Sequence, residues 1–430
     1  MSRLCILGCF MGMLEGMRYS TYFVHCLKTA REYESVNATL LQKGGFIYQV
    51  MAGVYGYLPL GLRVLNKIEG IVREEMDKIA YEILLPSLSP MELWEKTGRH
   101  EKIDVLFSAR GGNEASRAKN GAEYVLNSTH EELTVPILQQ LAPSYRDLPK
   151  AVYQIQTKFR NEPRAKSGLL RGREFRMKDL YSFHLSEEDF GEFYDRMKEV
   201  YTRTFARLGL GEDTHMALAS GGDFTNDYSH EFQAVCETGE DVIYFDEKEG
   251  VYYNREVASE ELQASGQALT VSEVGNIFPL GTRFAEAFGY SVQDQDGKSR
   301  PVVMGSYGIG TSRVMGVLVE KFHDERGIMW PEQVAPFAVQ LVSLGNDMEV
   351  LRWAQDVYSA LEKAGLEVLF DDREASPGEK MADADLLGMP WRVVVSKRTG
   401  GQIELKQRSR EVLRVVDLEE AIRLMADGAG

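Results

Sequence analysis

The order of apolar segments in this chain predicts an α+β fold. A mostly antiparallel sheet runs to about residue 335, and a small unit of alternating strands and helices follows. Two observations carry that reading. As far as Pro331, strand-like and helix-like runs are segregated, with few β-α-β alternations, and such elements pack as an antiparallel sheet with helices alongside. After the Pro331/Pro336 pair, strands and helices alternate instead. With 430 residues, 44% hydrophobic and 27% charged, the chain has material for about two or three soluble domains.

Taken in order, the first sixteen residues, MSRLCILGCFMGMLEG, place one arginine before a short apolar run. The run is shorter than the ~20 apolar residues of a membrane span and no small-residue cleavage site follows. Residues 1–16 are therefore expected to be an extension or a misassigned start, with Met17 as an alternative beginning. From Leu58 to Ile79, apolar residues at Leu62, Leu65, Ile68, Val72, Met76 and Ile79 recur every three to four positions, the period of one helical face. Pro59 and Gly61 stand where that helix starts, and a short strand, Tyr81 to Leu85, is stopped by Pro86. This unit suits a dimer contact, or equally a helix packed on its own core.

The run from Ala151 to Arg160 alternates as a strand, and Phe175 to His184 reads as its antiparallel return, with Glu162 to Gly172 as the loop. A helix is expected from Glu187 to Leu208, with Phe190, Phe193, Met197, Val200, Tyr201 and Phe205 on one face. Further strands are expected at Ser229 to Val235, Val242 to Tyr244 and Pro301 to Gly305. In the second unit the expected order is strand Phe337–Ser343, helix Met348–Ala364, strand Leu366–Phe370, helix Lys380–Leu387, strands Arg392–Ser396 and Gln402–Lys406, and helix Leu418–Met425.

The chemistry concentrates between Phe159 and Asp179, FRNEPRAKSGLLRGREFRMKD. From Lys158 to Lys178 there are eight basic residues and two acidic ones, in a chain whose net charge is −16. Arginines present planar forks to phosphate, a carboxylate accepts from an amino group, and a phenylalanine stacks on a base; together they suit a nucleotide. A second segment, Gly305-Ser-Tyr-Gly308-Ile-Gly310-Thr-Ser-Arg313, runs into an apolar helix, so that Arg313 falls in its first turn. The second unit carries a basic tail between Arg392 and Arg414, which suggests a nucleic-acid grip or a solvated strand edge. The four cysteines form no C-x-x-C pair and the seven histidines no metal-ligand spacing; no metal ligands are assigned, and a reducing cytoplasm fits the cysteine usage.

A helix-strand-proline unit, an FRxE-loop-RxxxF hairpin and a glycine-rich strand entering an arginine-bearing helix occur here in that order. The order resembles the three motifs of class II aminoacyl-tRNA synthetases. Within them it resembles the bacterial prolyl-tRNA synthetases, through Tyr57-Leu-Pro-Leu-Gly61, Thr129-His-Glu-Glu132, Tyr153 to Arg160, Arg173 to Asp179, Tyr181-Ser-Phe-His184, Ser229-His-Glu-Phe232, Gly305 to Arg313 and His323 to Pro331. Asp371-Asp-Arg373, Pro377-Gly378 and Ala384 to Pro390 resemble that family's anticodon-binding domain.

The resemblance implies a class II antiparallel-sheet catalytic domain, residues 17–335, and a small α/β anticodon-binding domain, residues 336–430. It implies ATP and Mg²⁺ as cofactors, L-proline and proline tRNA as partners, a homodimer, a cytoplasmic location and no membrane. Carried over residue by residue, Arg160 and Arg313 are catalytic. The ATP site is Arg160, Glu162, Arg171, Phe175 and Arg313, with Arg171 on the γ-phosphate and Phe175 under adenine. The proline site is Thr129, Glu131, Arg160, Glu162, His230 and Ser306. Two departures stand out: Asn127-Ser128 precedes Thr129 where the family often has Gly-Pro, and Ser306 replaces a frequent cysteine. Only about 125 residues separate Asp179 from Met304, which leaves no room for the editing domain many relatives insert there. Other expectations weighed are a non-charging paralogue and a synthetase for threonine or serine.

Overall fold

The structure is a computed structural model and describes residues 17–22, 24–27, 33–225, 227–264, 267–345 and 347–427. The expected extension, residues 1–16, lies outside the described residues.

A nine-stranded sheet is the frame of the larger part. Across it lie Tyr228–Val235, Thr214–Ser220, Val251–Asn254, Asp241–Asp246, Ala268–Gly281, Val303–Ile309, Glu174–His184, Lys150–Phe159 and Tyr81–Glu82. Pairing is antiparallel except where Tyr81–Glu82 joins Lys150–Phe159 and where Val251–Asn254 joins Thr214–Ser220. The 14-residue strand Ala268–Gly281 is the pivot. It pairs Asp241–Asp246 with its first residues and Val303–Ile309 with its last, while Tyr228–Val235 follows its other edge and closes five strands into a ring.

The expected hairpin is present, with Lys150 opposite Phe183 and Phe159 opposite Glu174. Both faces of its strands are covered. Tyr153 and Leu180 belong to the cluster formed with the helices Pro59–Met76 and Glu187–Arg207; Val152 and Tyr181 belong to a second cluster with the helix Glu131–Leu141. Alternate residues thus enter different cores. Within the nine-stranded sheet, three strands were not anticipated: Thr214–Ser220, Val251–Asn254 and Ala268–Gly281. The strand expected at Pro301 to Gly305 runs Val303–Ile309, so Ser306 and Gly308 are strand residues.

The helix Pro59–Met76 packs on its own core. Leu65, Ile68, Val72 and Met76 are buried there with Leu60 and Val64, whereas Leu62 is 46% exposed. Gly61 is obligatory, since a Cβ would lie 2.0 Å from the Phe46 carbonyl oxygen. Exposed apolar side chains flank the helix, at Tyr48, Val50 and Met51 before it and at Tyr81, Leu84, Leu88 and Leu141 after it.

The second unit is a five-stranded sheet in the order Val368–Asp371, Val339–Leu344, Trp391–Ser396, Ile403–Gln407, Leu413–Val416; the first three strands are parallel and the last two antiparallel. Leu413–Val416 was not anticipated. Helices Met348–Lys363 and Leu418–Asp427 share one core with this sheet, and Pro377–Leu387 packs against it through Ala384. Residues 17–22 lie along its outer edge. The Tyr19 amide donates to the Phe370 carbonyl at 2.7 Å, the Phe370 amide donates to the Met17 carbonyl at 2.9 Å, and the Ser20 hydroxyl donates to Asp372 at 2.7 Å. The Arg373 guanidinium stands 3.6 Å from the Tyr19 ring centre and pairs with Asp371 and Asp383.

Folding removes most of the positive patch expected between Lys158 and Lys178. Lys158 and Lys178 are fully buried, Arg176 is bidentate with Glu69, and Arg173 donates to the Glu162 and Ala52 carbonyls. Arg171 and Lys166 face Glu240. The basic tail of the second unit is neutralised similarly, through Arg392–Asp385, Arg408–Asp324, Lys406–Glu411 and Lys397–Asp347. Arg398, Arg410 and Arg414 have no ion pair among the described residues. Among those residues no helix is long and apolar enough to cross a membrane.

Candidate active site

A cavity of about 330 Å³ opens on the sheet face that carries Met177, Asp179, Ser306 and Gly308. Strand alternation places these side chains together, because Ser306 and Gly308 point into it while Tyr307 points to the helix Glu187–Arg207, in contact with Phe193 and Tyr194. Arg160, Glu162, Phe175, Thr129, Glu131, Ser306 and Arg313 all line it. Arg171 and His230 do not.

At one end are Arg160, Phe175 and Arg313. The Arg160 guanidinium lies 5.2 Å from the Phe175 ring centre and makes no hydrogen bond or ion pair among the described residues. Burial and then the neighbouring Arg313 push its pKa below the usual guanidinium range. Arg313, in the first turn of the helix Thr311–Lys321, donates to the Glu273 carbonyl at 2.6 Å and to its carboxylate at 3.2 Å. Arg160 is thus an unspent cation facing the cavity, with Arg313 held beside it by Glu273, an arrangement that binds phosphate or carboxylate.

Glu162 is buried and bonded by Arg171, whose Nε donates to Oε2 at 2.8 Å; Arg171 also pairs with Glu240 at 2.7 Å. Arg171, expected on a phosphate, is thus held beside the cavity by two carboxylates. Beyond Glu162, two carboxylates that sequence reading missed, Glu231 and Glu273, face the same space. Glu231 accepts from Gln233, Asn254 and Asn276, and its pKa is pushed up to about 8, by burial first and by Glu273 next. Asp241 is raised for the same two reasons.

At the other end, Glu131 and Thr129 form the acceptor pair. Glu131 is 1% exposed and accepts from the Ser306 hydroxyl at 3.0 Å. Behind it, Lys158 Nζ meets Asp179 Oδ1 at 2.7 Å and His130 Nδ1 at 2.5 Å, and His130 Nε2 lies 2.9 Å from the Pro86 carbonyl. Lys158 therefore donates to a neutral imidazole whose proton sits on Nε2, consistent with a His130 pKa lowered to about 4 by burial and then by Lys158. Asp179 also accepts from Gln154 at 3.0 Å and Tyr181 at 2.8 Å. Burial alone would raise its pKa, but Lys158, His130 and Gln154 hold it below the usual range.

His230, expected in the proline pocket, lies on the opposite face of its strand, with Nδ1 2.9 Å from the Tyr194 hydroxyl. The period of two decides this. His230, Phe232 and Ala234 share the face under the helix Glu187–Arg207, and Glu231 and Gln233 share the cavity face. The acidic residue of Ser-His-Glu-Phe was the signal.

Comparison with known proteins identifies the family. Residues 114–322 match the family described as tRNA synthetase class II core domain (G, H, P, S and T), and residues 338–427 match the anticodon binding domain family. A proline–tRNA ligase of Maricaulis maris is 38% identical over 454 residues, covering 96% of this chain and 99% of the relative. One from a Methylobacterium species is 39% identical and covers 91% and 95%. Among solved structures, the Giardia lamblia prolyl-tRNA synthetase in complex with prolyl-adenylate superposes with a TM-score of 0.75 at 22% identity, over 89% of this chain and 74% of that one. That last likeness concerns the fold alone. The chain belongs to the proline–tRNA ligase family of class II aminoacyl-tRNA synthetases, in its short form.

Proposed function

We propose that the cavity activates L-proline with ATP and passes it to tRNA. The observation that carries this reading is one cavity with a buried carboxylate-hydroxyl pair, Glu131 and Thr129, at one end and two cations, Arg160 and Arg313, beside an aromatic ring at the other. The proline ammonium is received by Glu131 and Thr129, with Ser306 holding Glu131 in place. The substrate carboxylate is turned towards Arg160 and attacks the α-phosphorus, so that a carboxylate–phosphorus bond forms as the bond to pyrophosphate breaks. The terminal ribose hydroxyl of tRNA then displaces AMP. Arg160 and Arg313 stabilise charge that grows on the phosphates, Phe175 stacks on adenine and Glu162 accepts from an amino group. No covalent enzyme intermediate is required; positioning and electrostatics act.

Mg²⁺ fits the cavity's carboxylates. Glu231 and Glu273 repel each other there, and a cation relieves that repulsion. Among the described residues no cluster of three metal-ligating side chains exists, so the protein would supply these two oxygen ligands, and phosphates and water the remainder, as is usual for Mg²⁺. When bound, the ion offsets phosphate charge. The division at residue 335/336 is supported by the separate sheet and core of the second unit. A homodimer is supported by the exposed apolar side chains at Tyr81, Leu84, Leu88 and Leu141, and a cytoplasmic location by the cysteine usage.

Amino-acid-dependent ATP–pyrophosphate exchange tests the reading. Proline is expected to drive it fastest; threonine, serine or glycine in first place would overturn the assignment. A second outcome follows from the interval 179–304, which the sheet strands, the helix Glu187–Arg207 and short connecting elements occupy. A pocket sized for proline rejects smaller alanine weakly, since each missing methylene is worth only ~1–3 kcal/mol. Alanine is expected to be activated measurably, and pre-charged Ala-tRNA to survive incubation with this protein alone. Deacylation above the buffer rate would reveal a hydrolytic site in the chain.

A further inference from the structure

Arg99 lies at the back of the amino-acid end of the cavity. Gly98, which caps the helix Met91–Thr97, has a left-handed φ of 68°, and the turn leaves Arg99 only 1% exposed. One nitrogen does most of the work: Nη1 donates to Thr129 Oγ1 at 3.1 Å, Glu131 Oε2 at 3.2 Å and the two Glu132 oxygens at 2.9 and 3.0 Å. The rings of Trp94, Phe224 and Phe284 surround the guanidinium, with centres 5.3, 4.6 and 5.4 Å from Cζ. Phe224 also packs against Phe278 at 4.6 Å, and both line the cavity. Water is thereby kept from the group of charges, and a buried group of charges must balance.

The balance is incomplete in the protein itself. Arg99 contributes one positive charge, and Glu131 and Glu132 one negative charge each when both are ionised; burial, opposed by Arg99 and reinforced by Glu131, pushes the Glu132 pKa up, as an excess of negative charge would. Lys158 with Asp179 sums to zero wherever their shared proton sits, and His130 is neutral. One negative charge is left over, at the end of the cavity bounded by Thr129, Glu131 and Ser306. Glu132 is 0% exposed and fully engaged by Arg99 and the Thr97 hydroxyl at 2.9 Å, so the surplus is presented through Glu131.

We propose that Arg99 is the positioning residue of the amino-acid subsite: it fixes Thr129 and Glu131 and, by pairing with Glu132, leaves one uncompensated negative charge matched by a single ammonium. This rests on the amino acid binding at Thr129 and Glu131. Arg160 sits outside the group and faces the carboxylate end, so the subsite has the polarity of a zwitterion.

The test compares Arg99→Met, Arg99→Lys and Arg99→Met/Glu132→Gln in pyrophosphate exchange. Arg99→Met leaves two adjacent buried carboxylates without their cation, and the KM for proline is expected to rise by about 30-fold while the KM for ATP changes less than about threefold. The added Glu132→Gln removes the excess charge and should recover at least ~5-fold of that KM. A merely structural arginine predicts the reverse: both substrates affected alike, and a double variant no better than the single one. Either result overturns the proposal. Should Arg99→Met not fold, Arg99→Lys keeps the charge but ends one atom short of the Nη1 position that reaches Thr129, Glu131 and Glu132, and an unchanged proline KM there overturns it equally. If a different amino acid drives wild-type exchange with the same Arg99 dependence, the proline assignment falls and the role of Arg99 stands.

Discussion

Replacing Arg160 by alanine is expected to lower pyrophosphate exchange by ~10²–10³ and to leave the folded protein as stable as its parent. Both halves follow from one feature. The guanidinium makes no hydrogen bond or ion pair among the described residues, so its removal breaks nothing that holds the chain together. It nevertheless stands half-buried over Phe175, repelled by Arg313, in a cavity where an added anion would be stabilised. A group kept unpaired at a cost to the folded state does its work when charge arrives. Arg171→Ala serves as the contrast, because that side chain already satisfies Glu162 and Glu240. Its loss should weaken ATP binding with a smaller effect on the rate. Exchange within tenfold of the parent in Arg160→Ala would place the reacting atoms elsewhere.

Asp179→Ala is expected to have the opposite signature, with a large loss of stability. The carboxylate binds Lys158, Gln154 and Tyr181 at once, and both ionic partners are almost wholly buried. Removing one member of a buried pair strands the other charge, which costs ~3–5 kcal/mol. Gln154 also accepts from the Leu85 amide, and Tyr181 accepts from the His130 amide. The damage therefore spreads to the parallel edge of the sheet and to the start of the helix that carries Glu131. Urea unfolding followed by tryptophan fluorescence should show the midpoint fall, and proline binding should weaken with it. The sign with pH is set by the lowered pKa. The stabilisation by Asp179 is complete above the carboxylate's unfolded value and is lost as the pH falls through the folded one. A loss below about 1 kcal/mol at neutral pH would mean that Lys158 finds another partner or sheds its proton.

These two residues show how far the chain could be read. The hairpin was legible because Tyr153-Gln-Ile-Gln-Thr-Lys-Phe and its return alternate strongly and are joined by a polar loop; so was Arg313, since a glycine-rich strand entering a helix places it in the first turn. Lys158 and Lys178 count in the basic run of the sequence, yet both are buried. Local composition records their sign, but burial depends on partners distant in sequence, Tyr307 for Lys178 and Asp179 with His130 for Lys158. His230 was assigned to the pocket from its neighbours in the motif, although strand parity puts Glu231 there. Arg99 escaped notice because nothing beside it in the chain betrays the three aromatic rings and two carboxylates gathered around it. The long strand Ala268–Gly281 was missed because its alternation is broken by Gly275 and by the bulge before Gly281.

The edge pairing of residues 17–22 on Phe370 has a consequence for synthesis. The amide of Tyr19 and the carbonyl of Met17 find their partners about 350 residues later in the chain. At translation rates of ~5–20 residues per second, roughly 20–70 s elapse before Phe370 exists. During that time the large sheet can form, whereas this segment stays hydrated with its edge partner unmade. The earliest described residues are therefore among the last to be satisfied, and their docking reports that the far domain has been completed.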